Sequence, residues 1–158
     1  MSLLMPMKTK TTATLRPKPN WPRKPLLIRW ITTKTGWTVR DTPPIRFVPG
    51  TTLAKMCREA SAKLYVEVLY SERDNSIHLP DGWRANNLRR RSILLHELVH
   101  HLQYLNHAKV TCQSEYESQA LQLQVSWLGE QGVDDPFDMI GLDPLWLMML
   151  KECGEMAY

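Results

Sequence analysis

The chain has 158 residues and a mass of 18.4 kDa, room for one domain of ordinary size. Hydrophobic residues at 43% and charged residues at 23% exclude a mainly disordered chain. The longest apolar run, Leu145 to Leu150, is far shorter than the roughly 18 residues a membrane-spanning helix needs, so no membrane span is expected.

The net charge of +4 is unevenly spread. Residues 1–40 carry nine basic residues and no acid, which leaves 11 basic and 16 acidic residues in the remainder. Residues 1–25 read as a flexible, basic, proline-rich arm, and residues 26–158 as a single domain. The arm is assigned to solvent on its composition, so nucleic acid is not an expected partner. Leu26-Leu27-Ile28 is broken by Arg29 and no small-residue cleavage site follows. No export signal is read, which points to the cytoplasm without excluding export.

Along the chain, Ile45-Arg46-Phe47-Val48 alternates between proline boundaries and predicts a short strand. A helix capped by Thr51 or Thr52 should run to about Ala62, with Leu53, Met56, Cys57 and Ala60 at helical spacing. Tyr65 to Tyr70, a turn at Glu72 to Asn75, and Ser76-Ile77-His78-Leu79 predict a β-hairpin. Its second strand ends at Pro80 and reads as an edge strand. Leu88, Leu95, Val99, Leu102 and Leu105 form the stripe of a long helix capped by Asn86 or Asn87 and ending near Asn106. A second helix is expected from Ser114 to Leu128, stopped by Gly129. Asp143-Pro144 opens a last helix that ends near Gly154; its apolarity all round predicts that it packs beneath the others. The order of elements predicts an α+β fold.

His96-Glu97-Leu98-Val99-His100 lies inside the long helix. Residues four apart on a helix differ by about 40° in azimuth and about 6 Å in height, so both imidazoles can reach one ion from one face. Zinc accepts histidine nitrogen and keeps a position open for water, whose pKa it lowers toward 7. Glu97 beside the first histidine can take that proton and pass it to a leaving amine. These are the parts of amide hydrolysis, and the motif carries that meaning only on a helix.

Two histidines leave the ion one protein ligand short. The next helix offers Glu115 and Glu117. Glu117 shares its face with Ala120 and Leu121, and a small residue there permits close helix approach, whereas Glu115 lies about 200° away. Glu117 is assigned the third position, with Glu115 as the alternative.

H-E-x-x-H followed by a glutamate in an E-x-x-A setting resembles the gluzincin branch of the zincin metallopeptidases, in its compact minigluzincin form. The span from Tyr65 to Leu128 is similar to a bacterial family of uncharacterised metallopeptidases. The likeness is carried by Leu69-Tyr70, Ile77-His78-Leu79-Pro80, Leu95 to Gln103, and Cys112, Glu117, Leu121 and Gln122. It implies a zincin-like fold, one zinc ion on His96, His100 and Glu117, and Glu97 as general base. It also implies a peptide or protein substrate added as a strand along Ile77, His78 and Leu79. The sequence departs from the family at Ser118-Gln119, where a small residue and an aromatic are expected. The downstream transition-state donor of the larger members has no clear counterpart; Tyr104 and Tyr116 are the nearest candidates.

His101, about 100° around the helix from His100, is expected to be partly exposed or to support the ligands from behind. His78 reads as structural, with substrate contact as its alternative. His107 ends the helix where a cation suits the dipole, and Arg89-Arg90-Arg91 reads as a solvated face. The tryptophans are assigned to packing. Cys112 and Cys153 either pair in an oxidising compartment or remain reduced core residues. The rival to the zinc metallopeptidase is an inactive zincin-fold binding module that docks through its basic arm.

Overall fold

The computed structural model describes residues 24–59 and 67–153. Within them the fold is α+β: α1 (Lys24–Thr35), β1 (Ile45–Val48), α2 (Gly50–Glu59), β2 (Leu69–Ser71), β3 (Ser76–Pro80), α3 (Leu88–Leu105), α4 (Gln113–Glu130), α5 (Pro136–Ile140) and α6 (Pro144–Lys151). The expected arm up to residue 23, the helix beyond Glu59, the hairpin start at Tyr65 and Val66 and the stop at Gly154 lie outside the described residues.

The three strands form a mixed sheet in the order β1-β3-β2, with β1 parallel and β2 antiparallel to β3. This corrects the reading of β3 as an edge. Its backbone is paired on both sides, and Ile77, His78 and Leu79 are buried. A peptide therefore has no free edge at β3 to join. The proline that suggested an edge sits at the strand's last position, where a missing N–H costs least. The β1 strand, far away in sequence, covers the flank that the hairpin leaves open.

Ile77 and Leu79 face the core from the sheet and meet Leu94, Leu95, Leu98, Val99 and Leu102 of α3. Leu27, Ile28 and Ile31 of α1 join the same core. Lys24-Pro25, read from the sequence as the end of the flexible arm, instead begins a helix that the sequence analysis did not expect. Asn87 caps α3 as expected, its side chain accepting from the Arg90 N–H at 2.8 Å. The α4 helix runs through Gly129 to Glu130, because the left-handed position that closes it falls at Gly132 (φ 83°) rather than at the first glycine. Asp135, Pro136 and Gly141 (φ 67°) delimit α5, another helix absent from the sequence reading.

Asp143 and Pro144 open α6 as predicted. Its packing differs from expectation: only Leu147 and Leu150 are buried, against Leu121 of α4, while Leu145 and Met148 remain 61% and 62% exposed. A helix of eight residues laid on the outside of α4 can cover a single stripe. Cys112 and Cys153 are bridged, with Cα atoms 5.9 Å apart, tying the N-cap of α4 to the end of α6.

The bridge closes a loop of 41 residues. Loop-closure entropy of that size corresponds to about 4 kcal/mol. Urea denaturation of the Cys112→Ser, Cys153→Ser double variant should show a loss of this order, and the reduced wild type should converge on the variant.

Candidate metal centre

His96 and His100 project from one face of α3, one turn apart. Glu117 projects from the second turn of α4. Ala120, one turn further along, is fully buried against the core and lets the two helices approach closely. Glu117 Oε2 lies 3.2 Å from His96 Nε2 and Glu117 Oε1 lies 3.1 Å from His100 Nε2. The two Nε2 atoms are 3.0 Å apart. The structure thus brings together the three residues expected to converge, and one ligand atom from each lies within 4.8 Å of the others. Both imidazoles are mostly covered, whereas the Glu117 side chain is 44% exposed and marks the open side.

Four Lewis-basic atoms crowded this closely repel one another unless a proton or a metal ion sits among them. Two imidazole nitrogens and a carboxylate match the donor set of a three-ligand zinc site, and they accept other divalent ions as well. The group could therefore hold one metal ion. Without one, protons take its part. Burial works to lower the His100 pKa, but the hydrogen bond to Glu117 and its negative charge override burial and push it up to about 9. Burial likewise works to raise Glu117, yet the hydrogen bonds from His100 and His96 outweigh it and hold the carboxyl well below the usual carboxylate range.

Glu97 is 7% exposed and lies on the flank of α3 that faces β2. The Tyr70 backbone N–H donates to Glu97 Oε2 at 2.7 Å. Burial raises the Glu97 pKa, opposed by the two nearby histidines and by this hydrogen bond. The Tyr70 N–H is free to do this because β2 is an outer strand of the sheet.

Glu115 is not part of the group; its carboxylate accepts from the Thr111 N–H at the start of α4. Of the two expectations for His101, partial exposure is corrected: the side chain is fully buried, with the loop before β1 folded over it. Its Nδ1 is 2.9 Å from Asn75 Oδ1, and its Nε2 is 3.2 Å from the Asp41 carbonyl and 3.1 Å from the Asp41 carboxylate. Asn75 Oδ1 also accepts from the Tyr70 hydroxyl at 2.9 Å. This network ties the hairpin turn to α3 beside Glu97. His78 is buried and turned to Asp74 and Ser76 within its own hairpin. The Tyr116 hydroxyl donates to the Ala108 carbonyl, while Tyr104 is exposed. Of the arginine run, Arg89 pairs with Glu67 at 2.8 Å and Arg90 lies over the Trp83 ring.

Four residues that the structure places around the centre had no role there in the sequence reading: Tyr70, Asn75, Gln103 and Gln124. Two left a usable signal. Gln103 is three residues beyond His100, and Gln124 is seven beyond Glu117, so each shares a helical face with a ligand.

A family model described as a domain of unknown function, DUF6647, matches residues 23–153. The chain belongs to this family. The match takes in every described element, including both helices of the candidate centre. No curated protein and no solved structure matches the chain.

In the metal-free protein the folded His100 pKa of about 9 exceeds its ordinary value of 6.5. Its stabilising contribution is therefore complete below pH 6.5 and fades as pH rises through about 9. Melting temperatures measured in chelator should fall across that window. Saturating zinc should flatten the fall, and Glu117→Gln, which removes the neighbouring anion, should shrink it.

Proposed function

We propose that this member of the DUF6647 family is a zinc-dependent metallopeptidase of the zincin type, hydrolysing peptide bonds. The observation that carries the reading is the convergence of His96, His100 and Glu117 with Glu97 held buried on the adjoining flank. His96, His100 and Glu117 would hold the ion. Bound there, it would supply Lewis acidity and bring the pKa of water within reach of a carboxylate base. Glu97 takes a proton from water as the water oxygen attacks the peptide carbonyl carbon, and returns a proton to the amine nitrogen as the C–N bond breaks. The products are a carboxylate and an amine, with water as the co-reactant.

The Tyr70 N–H supports this role by keeping one Glu97 oxygen occupied while the other remains to accept. A peptide laid beside β2, the outer strand next to α3, would pass this flank, in place of the route along β3 that pairing closes.

One observation favours the rival, a zincin-fold module that binds a partner without cleaving it. Tyr116, one of two tyrosines considered for stabilising the developing oxyanion, has committed its hydroxyl to the Ala108 carbonyl. The two readings separate in one experiment. Chelator-sensitive cleavage of casein or of a mixed fluorogenic peptide library is expected of the enzyme. Glu97→Gln should retain one zinc per chain and lose about 10²–10⁴ in hydrolysis rate, whereas Glu117→Ala should lose zinc affinity itself. Full activity in Glu97→Gln would overturn the catalytic assignment. Stoichiometric zinc binding with no cleavage of any peptide would favour the binding module.

A further inference from the structure

Each histidine of the centre is gripped from behind by a buried glutamine. His96 Nδ1 is 3.0 Å from Gln124 Oε1, and His100 Nδ1 is 2.8 Å from Gln103 Oε1. Gln103 is 2% and Gln124 4% exposed. The orientation of each amide follows from what its far end touches. Gln103 Nε2 lies 2.9 Å from the Tyr116 carbonyl oxygen and 3.1 Å from Gln119 Oε1. A backbone carbonyl only accepts, so the amide nitrogen belongs there and the amide oxygen faces His100. Gln124 Nε2 lies 3.0 Å from Ser92 Oγ, and Ser92 commits its own proton to the Arg89 carbonyl at 2.7 Å. Ser92 therefore accepts from Gln124, and the Gln124 oxygen faces His96.

An amide oxygen has no proton to give, so both Nδ1 atoms must carry one. In the neutral rings both Nε2 atoms are then left with free lone pairs, directed at the point Glu117 also faces. The clamps cross the helix pair. Gln124 of α4 reaches His96 and Ser92 of α3, while Gln103 of α3 reaches the Tyr116 carbonyl of α4. The tautomers are set only when α3 and α4 are docked in this register.

We propose that Gln103 and Gln124 are the positioning residues of the metal centre, holding both histidines in the Nδ1–H tautomer so that two Nε2 atoms are presented to the ion. They do so as neutral acceptors. A carboxylate in the same place would make the imidazoles more basic, whereas an amide leaves them poorer donors and the ion more electrophilic. This inference rests on the metal-binding half of the proposed function and not on hydrolysis.

The test uses zinc alone, titrated into the full chain in competition with a chelating dye. Gln103→Met and Gln124→Met remove the acceptor with little change of volume, and each should weaken zinc binding about 10- to 100-fold. Gln124→Glu keeps an acceptor, since the Ser92 hydroxyl can rotate to donate to it, and should bind zinc at least as tightly as the wild type. The tautomer is read independently by ¹⁵N-histidine NMR of the metal-free protein at a pH where both rings are neutral. Both rings should be Nδ1–H in the wild type, and His96 should lose that preference in Gln124→Met. Methionine variants that bind zinc as the wild type does, or an Nε2–H ring at either position, would overturn the assignment. A wild type that binds no zinc would overturn the metal centre itself. Zinc binding without hydrolysis, combined with weakened methionine variants, upholds the assignment and counts only against the catalytic reading.

Discussion

The close packing of α3 against α4 is the constraint on which the rest of this molecule depends. A glutamate side chain reaches only a few ångströms from its helix, so Glu117 meets His96 and His100 only because α3 and α4 pack directly against each other. Ala120 permits that approach by having no side chain beyond its methyl group. The arrangement brings mutually repelling bases together in a covered place, an electrostatic cost that apolar packing must offset. The core supplies the offset: Leu94, Leu95, Leu98, Val99 and Leu102 of α3 are fully buried against the sheet and neighbouring helices.

The sheet contributes a second requirement, a dry flank for Glu97. An isolated buried carboxylate is costly, and the Tyr70 N–H relieves part of that cost. It can do so because β2 uses its other side to pair with β3, leaving this N–H unclaimed by the sheet. His101 and Asn75 then anchor the hairpin, with the Tyr70 hydroxyl joined to the same amide oxygen. Asn75 occupies the left-handed region at φ 51°, which suits an asparagine at a tight turn. Glu97 is thus held by a backbone group whose position is set by side chains of the hairpin and α3, with Asp41 of the loop before β1 behind His101.

The outer helices act on the beginning of α4. The Cys112–Cys153 bridge and the hydrogen bond from the Ser114 hydroxyl to the Leu150 carbonyl fasten the end of α6 to the turn that precedes Glu117. Helix termini are the parts of a fold that fray most readily. Fastening this one limits the freedom of the single ligand that does not come from α3, so it arrives already oriented.

Local sequence determined the helices of the centre and the ligands on α3. His96 and His100 are bound to share a face once Leu95, Val99 and Leu102 make that segment helical, because the four-residue spacing is intrinsic to the helix. Helix geometry also favoured Glu117 over Glu115, from the small residue beside it. Tertiary structure decided what depends on contacts between distant segments. The β3 strand became central because β1, some thirty residues earlier, pairs with it, and hairpin patterning carries no record of a third strand. His101 is buried because the loop at Asp41 covers it, which its helical azimuth does not encode. α6 kept an exposed apolar face because its neighbour offered one groove. The glutamine clamps and the Tyr70–Glu97 bond are likewise products of assembly, since a hydrogen bond between elements exists only after packing has brought donor and acceptor within reach.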